Sequence, residues 1–211
     1  MSAAPCVISV ADHAGWAHVL SVAALASVPA VVDRRRVTTI EAGLPSMPYH
    51  HESIGMSVDE ADRLIARVRK SIAEHTARAL RDVVADLASE CRVVAMAIRE
   101  PLFRGLPDTV ATVRRSYQVQ CAADGMMYQI ALCDVARDLS LEVHRCRRGE
   151  ETAIAAKRLG VSTTDVESFV RGTGRPSGPP WTEEHRRAYA AGIAALASHP
   201  CNIRLPQRRV R

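Results

Sequence analysis

The stretch from Cys6 to Glu41 constrains this chain more than any other, because it reads as three short strands, CVISVADH, AHVLSVAA and AVVDRRRVTTIE. His13-Ala14-Gly15 has the composition of a tight turn between the first two. Pro29 stands where the third strand opens, the position at which a proline removes least from a ladder. The first strand is apolar up to its tip, where it carries a single carboxylate, Asp12. An acid at the tip of a strand that begins a meander is the feature from which a function can be argued.

A Pro-, Gly- and Ser-rich loop follows, EAGLPSMPYHHESIGM, in which Tyr49, His50, His51 and Glu52 are adjacent. Neighbours on an extended chain point to opposite sides, so at most two of these could share a metal. A solvated loop or a helix-docking contact is the favoured reading of that run. Ser57-Val58-Asp59-Glu60 is a capping box that opens a long amphipathic helix reaching about Ser89, with Ala61, Leu64, Ile65, Val68, Ile72, Leu80, Val83, Val84 and Leu87 as its apolar stripe. Arg92 to Ile98 is almost continuously apolar, as expected of a strand covered on both faces, and it ends in Arg99-Glu100-Pro101.

Pro107 and Asp108 begin a second helical pattern, through Val110, Val113, Tyr117, Cys121, Tyr128, Leu132, Val135 and Leu139. Gly125 predicts a break or close contact in it, and Asp124 beside it reads as a kink or local cap, with a functional role as the alternative. Leu141 to Arg145 alternates as a fifth strand. Two short helices, Glu150 to Leu159 and Thr163 to Arg171, are closed by Gly160 and Gly172, and Ser162 caps the second. The loop GTGRPSGPPW delivers a last, Ala-rich helix from Thr182 to Ala197. One domain over residues 1–199 and a loose, basic tail over 200–211 are expected.

Lys70 and Lys157 are the sole lysines, so nearly all of the positive charge behind the formal net +5 is arginine. The arginines cluster, at Arg34-Arg35-Arg36 and Arg186-Arg187 among other places. A planar guanidinium suits phosphate, so these five are the candidate nucleic-acid contacts, against the plainer reading of solvated faces. Hydrophobic residues at 47% and charged residues at 24% exclude a disordered chain as the default. Six cysteines without a CxxC pair argue against a zinc cluster or a disulfide framework and for reduced thiols in the cytoplasm. The apolar run from Trp16 to Val32 contains His18 and Pro29 and follows Asp12 and His13, which fits a buried hairpin and not a membrane span.

The order three strands, helix, strand, helix, strand, helices resembles that of the ribonuclease H-like fold, a mixed five-stranded α/β sheet with helices on both faces. Within that class the chain is most similar to the RuvC-type Holliday-junction resolvases. ISVADHAGWAHVLSV resembles their opening strand-turn-strand, AMAIRE their fourth strand, and GVSTTDVESFV followed by a Pro-rich loop and WTEEHRRAYAAGIAAL their closing segment. The resemblance implies a metal-dependent nuclease on structured nucleic acid, DNA or RNA. Asp12, Glu100 and Glu184 would then hold Mg²⁺ or Mn²⁺, and His185 would serve as a further ligand or water-orienting group. Three converging carboxylates repel unless cations neutralise them, and two ions about 4 Å apart can clamp the attacking and leaving oxygens of a phosphodiester. The sequence departs from this pattern at two places. Arg99 stands where the simplest alignment wants the fourth-strand acid, with Glu100 one residue later, and Arg187 stands where the closing acid pair wants its second member.

Two other readings remain at this stage. One is a non-catalytic binding or scaffold protein of the same fold, meeting nucleic acid through arginines or a protein through a helix, with a homodimer as one option for its assembly. The other is a helix-turn-helix regulator built on ETAIAAKRLGVSTTDVESFVRG. Asp165 and Glu167 on its second helix make a structural helix pair the better reading of that segment.

Overall fold

The computed structural model describes residues 3–101, 105–106, 109–173, 178 and 180–206. Pro107, Asp108, part of the GTGRPSGPPW loop and the arginines from 208 onward lie outside the described residues. The meander forms as expected, with β1 (Ala4–His13), β2 (Trp16–Leu25) and β3 (Val28–Thr38) joined by two-residue turns. A long helix α1 (Val58–Leu87) leads to β4 (Cys91–Arg99), and a one-turn α2 (Val110–Val113) precedes α3 (Tyr117–Asp138). Then come β5 (Glu142–Cys146), α4 (Glu151–Leu159), α5 (Thr163–Thr173) and α6 (Glu183–Leu196).

The five strands make one mixed sheet in the order β3-β2-β1-β4-β5. β1 is antiparallel to β2 and parallel to β4, with Ser9 opposite Ala97, and β5 is parallel to β4. Because β1, β4 and β5 run the same way, Asp12, Arg99 and Cys146 end up along one margin of the sheet. Strand alternation divides the central strand between two cores. Cys6, Ile8 and Val10 face Leu80 and Val83 of α1 and Leu132 and Val135 of α3, whereas Val7 and Ala11 face α6.

The capping box at Ser57 forms in both directions, Glu60 N–H to Ser57 Oγ and Ser57 N–H to the Glu60 carboxylate. Gly125 does not break α3, which continues through it, and Tyr117 is exposed instead of joining the buried stripe. α5 runs past Gly172 to Thr173, whereas Gly160 closes α4 in the left-handed conformation at φ 67°. The described part of the tail is docked and not loose. Ile203 is buried, and the Arg204 N–H donates to the Ser27 carbonyl at 2.8 Å. The α4–α5 pair is buried against α6 through Ala155, Ala156, Val166 and Val170, leaving acidic Asp165 and Glu167 on the outside. All six cysteines are free thiols. Among the described residues no helix is long and apolar enough to cross a membrane.

α6 lies across β1, β2 and β4, and its alanine-rich body lets it lie close. Ser9 Oγ donates to the Ala188 carbonyl at 2.5 Å, and Tyr189 Oη to the Pro29 carbonyl at 2.7 Å. A Cβ on Gly192 would stand 2.7 Å from Val22 Cγ2 and 3.3 Å from Ser9 Cβ. Neither neighbour is a flexible chain end, so Gly192→Val should cost about 1–3 kcal/mol through overpacking, read as a lower urea midpoint. A midpoint equal to wild type would show that the helix can move off the sheet at no cost.

Candidate active-site cleft

The first turn of α6 sits over the ends of β1 and β4, and a cleft of about 460 Å³ opens there. Asp12, Glu151, Glu183 and Glu184 line it together with His13, Arg99, Arg148 and Arg187. Two of the expected acids, Asp12 and Glu184, therefore share the cleft, but each is held by its own partner. Alternation continues from Val10 to Asp12, so this carboxylate is directed toward α3, where Gln129 Nε2 donates to its Oδ2 at 3.3 Å. The Arg99 guanidinium donates to the same oxygen at 3.3 Å. The Asp12 side chain is 6% exposed, so this pairing compensates a nearly buried charge. Glu184 meets the next residue of β1, its Oε2 lying 3.0 Å from His13 Nε2, and His13 is stacked on Trp16.

Glu100 does not enter the cleft. It follows Arg99 directly, so only one of the two can face that side. Glu100 points into a neighbouring groove and accepts from Arg147 Nε at 3.0 Å. Arg187 lines the cleft but is ion-paired with Glu183 one turn back on α6. Among the described residues, no three His, Cys, Asp or Glu ligand atoms of this cleft lie within 4.8 Å of one another. The donor set does not fit a divalent ion pair, because Asp12 and Glu183 are paired with guanidinium groups, Glu184 meets an imidazole, and the acids do not converge.

His185 also lies away from the cleft, as the N3 residue of the capping box that starts α6. Its Nδ1 accepts from the Thr182 N–H at 3.2 Å, and its ring packs on His18 and Trp181. Burial, followed by the nearby His18 and Arg34, pushes it down to about 4. The Nδ1 lone pair spent on the cap acts in the same direction.

The other arginines expected to meet nucleic acid are likewise engaged within the fold. Arg34 donates to the carbonyls of Gly178 and Pro180, Arg35 pairs with Asp33 and Asp86, Arg36 lies 4.1 Å over the Trp16 ring, and Arg186 donates to the Trp181 carbonyl. The Tyr49 to Glu52 run docks on α3. Both oxygens of Asp124 accept backbone N–H groups, from Tyr49 at 2.9 Å and His50 at 3.0 Å, and burial raises Asp124 to about 7. Sequence reasoning missed Gln129, which as an isolated amide within a helical stripe gives no signal. It also missed Glu151, held by its N-terminal position on α4, and Arg148 at the rim.

Sheet order, strand directions and the helix over the β1 end define a ribonuclease H-like fold, and within that class the fold is RuvC-like. No protein-family model and no curated protein matches the sequence. Among solved structures, Thermus thermophilus RuvC in complex with a Holliday junction substrate is similar at 13% identity and a TM-score of 0.54, over 92% of this chain and 94% of that one. A second Thermus thermophilus RuvC structure is similar at 13% identity and a TM-score of 0.51, over 92% and 95%.

The His185 environment generates a pH prediction. Its folded-state value lies below the ordinary 6.5, so the unfolded chain takes up this proton first. The stability it contributes is complete above about 6.5 and is lost as pH falls toward about 4. His185→Gln retains an N3 acceptor for the cap and should flatten that part of the urea midpoint against pH curve. His185→Ala should lower the stability at neutral pH by about 1 kcal/mol, read as a lower midpoint. Identical pH slopes in wild type and His185→Gln would refute this account.

Proposed function

We propose that this chain is a nucleic-acid-binding protein that uses a RuvC-like fold without metal-dependent cleavage. The observation that carries the reading is the guanidinium of Arg99 on the carboxylate of Asp12, at the place where the resemblance expects metal. A guanidinium neutralises a carboxylate but has no open coordination position, so it cannot generate hydroxide or hold a leaving oxygen as a metal ion does. Arg187, held to Glu183, supplies a second fixed positive charge in the same cleft.

Support for a nucleic-acid ligand comes from the likeness to a RuvC solved with a Holliday junction and from an arginine-dominated net charge of +5. Arg148 lines the cleft, is exposed, and has no acidic partner among the described residues. It is the side chain best placed to meet a phosphate. Four-way-junction DNA should be retarded in gel-shift assays with salt-sensitive affinity, and Arg148→Ala should weaken binding several-fold and reduce the salt slope by about 0.9. With Mn²⁺ added, wild type and Asp12→Asn should be equally inert toward junction DNA and structured RNA. Mn²⁺-dependent cleavage that disappears in Asp12→Asn would replace this reading with the nuclease one.

A further inference from the structure

A second cluster lies outside the cleft, where the beginning of β5 meets the chain beyond α6. His144 points inward from β5, opposite Ala97 of β4, and His199 follows the end of α6, its N–H bonded to the Leu196 carbonyl. The two imidazoles meet edge to face with centroids 5.6 Å apart, and Glu142 reaches both. Glu142 Oε1 is 3.2 Å from His144 Nε2, Glu142 Oε2 is 3.9 Å from His199 Nε2, and the three ligand atoms lie within 4.8 Å of one another. None of the three residues lines the cleft.

Both Nε2 atoms are buried and lack a hydrogen-bond partner. The His144 side chain is only 9% exposed, and the Glu142 oxygen 3.2 Å away lies off the direction a ring N–H would need. Leaving one such nitrogen unsatisfied costs about 1–3 kcal/mol, and this site leaves two side by side. The separations of 3.2 and 3.9 Å, with all three ligand atoms within 4.8 Å, are close enough for small side-chain shifts to bring them around one ion. Bonds of about 2.0–2.1 Å to nitrogen and oxygen in a tetrahedron put neighbouring donors roughly 3.3 Å apart.

We infer that Glu142, His144 and His199 form a zinc-class divalent cation site that ties edge strand β5 to the segment after α6. Two imidazoles and a carboxylate suit a borderline cation, and no thiolate joins the set to favour a softer one. Three protein ligands leave one position for water. The Arg158 guanidinium donates to the Ala194 carbonyl, so its charge stands near the site without occupying it. Glu142, at 62% side-chain exposure, gives the ion a path from solvent and offsets that charge.

The test uses the full chain stripped with a chelator and then titrated with Zn²⁺ by calorimetry, with Co²⁺ as the spectroscopic substitute. One equivalent should bind, raise the thermal midpoint and, as Co²⁺, give visible absorption bands of a four-coordinate nitrogen and oxygen site. His199→Ala should weaken Zn²⁺ binding by more than the roughly 10–100-fold that loss of an outer-shell partner costs. Glu142→Gln, a near-isosteric change at an exposed position, should also weaken it while leaving the circular dichroism spectrum intact. His50→Ala/His51→Ala, which removes a histidine pair elsewhere in the fold, should bind as wild type does. No stoichiometric binding by wild type would assign the gap to a bridging water and overturn the proposal. Undiminished binding by Glu142→Gln and His199→Ala would overturn it equally.

Discussion

Everything at the cleft depends on how closely α6 can lie on the sheet. Helices usually stand off a sheet by the length of their side chains. Here Ala188, Ala191, Gly192 and Ala195 carry almost none, and Gly192 meets Val22 where even one methyl would collide. Each alanine also has the best intrinsic helix propensity, so one composition both forms the helix and allows the approach. Ser9 bonds the helix backbone directly, fixing the height and rotation of its first turn. Glu183, Glu184 and Arg187 then have only one place to go, over the ends of β1 and β4. Glu183 and Glu184 stand in the first turn, at the positive end of the helix dipole, and the Thr182 side chain caps that end by accepting the His185 N–H.

A second constraint, the period of two along a strand, decides which groups meet. It sends Asp12 toward α3 and His13 toward α6, so Glu184 finds an imidazole and not a second carboxylate. It admits only one of Arg99 and Glu100 to the cleft, and Arg99 takes the place. A shift of one residue in β4 would exchange them, but the parallel register with β1, in which Ser9 faces Ala97, forbids that without moving Met96 and Ile98 onto the closely packed α6 face that Ala95 and Ala97 now occupy. The one-residue displacement of Glu100 thus has the full structural effect of a charge reversal.

The architecture was legible in the sequence because its signals are local. The alternation of β1 to β3, the Ser57 box, the apolar run of β4 and the alanine-rich last helix each declare themselves within a dozen residues. Asp12 and Glu184 could be placed in one cleft by topology alone. What those carboxylates touch could not, since Gln129 and Arg99 reach Asp12 across long stretches of chain. His185 looked like a ligand because it follows two acids, yet its position three residues after Thr182 makes it a cap. Glu142, His144 and His199 escaped notice for the same reason. Two lie on a short strand and the third comes 55 residues later, with no motif to join them.

The charge balance of the cleft sets the character of any ligand it meets. Asp12, Glu151, Glu183 and Glu184 face Arg99, Arg148, Arg187 and His13, so positive and negative groups nearly cancel. Such a lining projects little field, and attraction over distance must come from the net charge of +5 spread across the surface. Most guanidiniums near the meander are already bound to carbonyls, carboxylates or a ring, and they hold the fold in place before any ligand arrives. Discrimination by base edges needs several free, rigid donors on an element that can enter a groove. Among the described residues lining the cleft, Arg148 is the one arginine without an acidic partner, so the cleft holds no such array of donors.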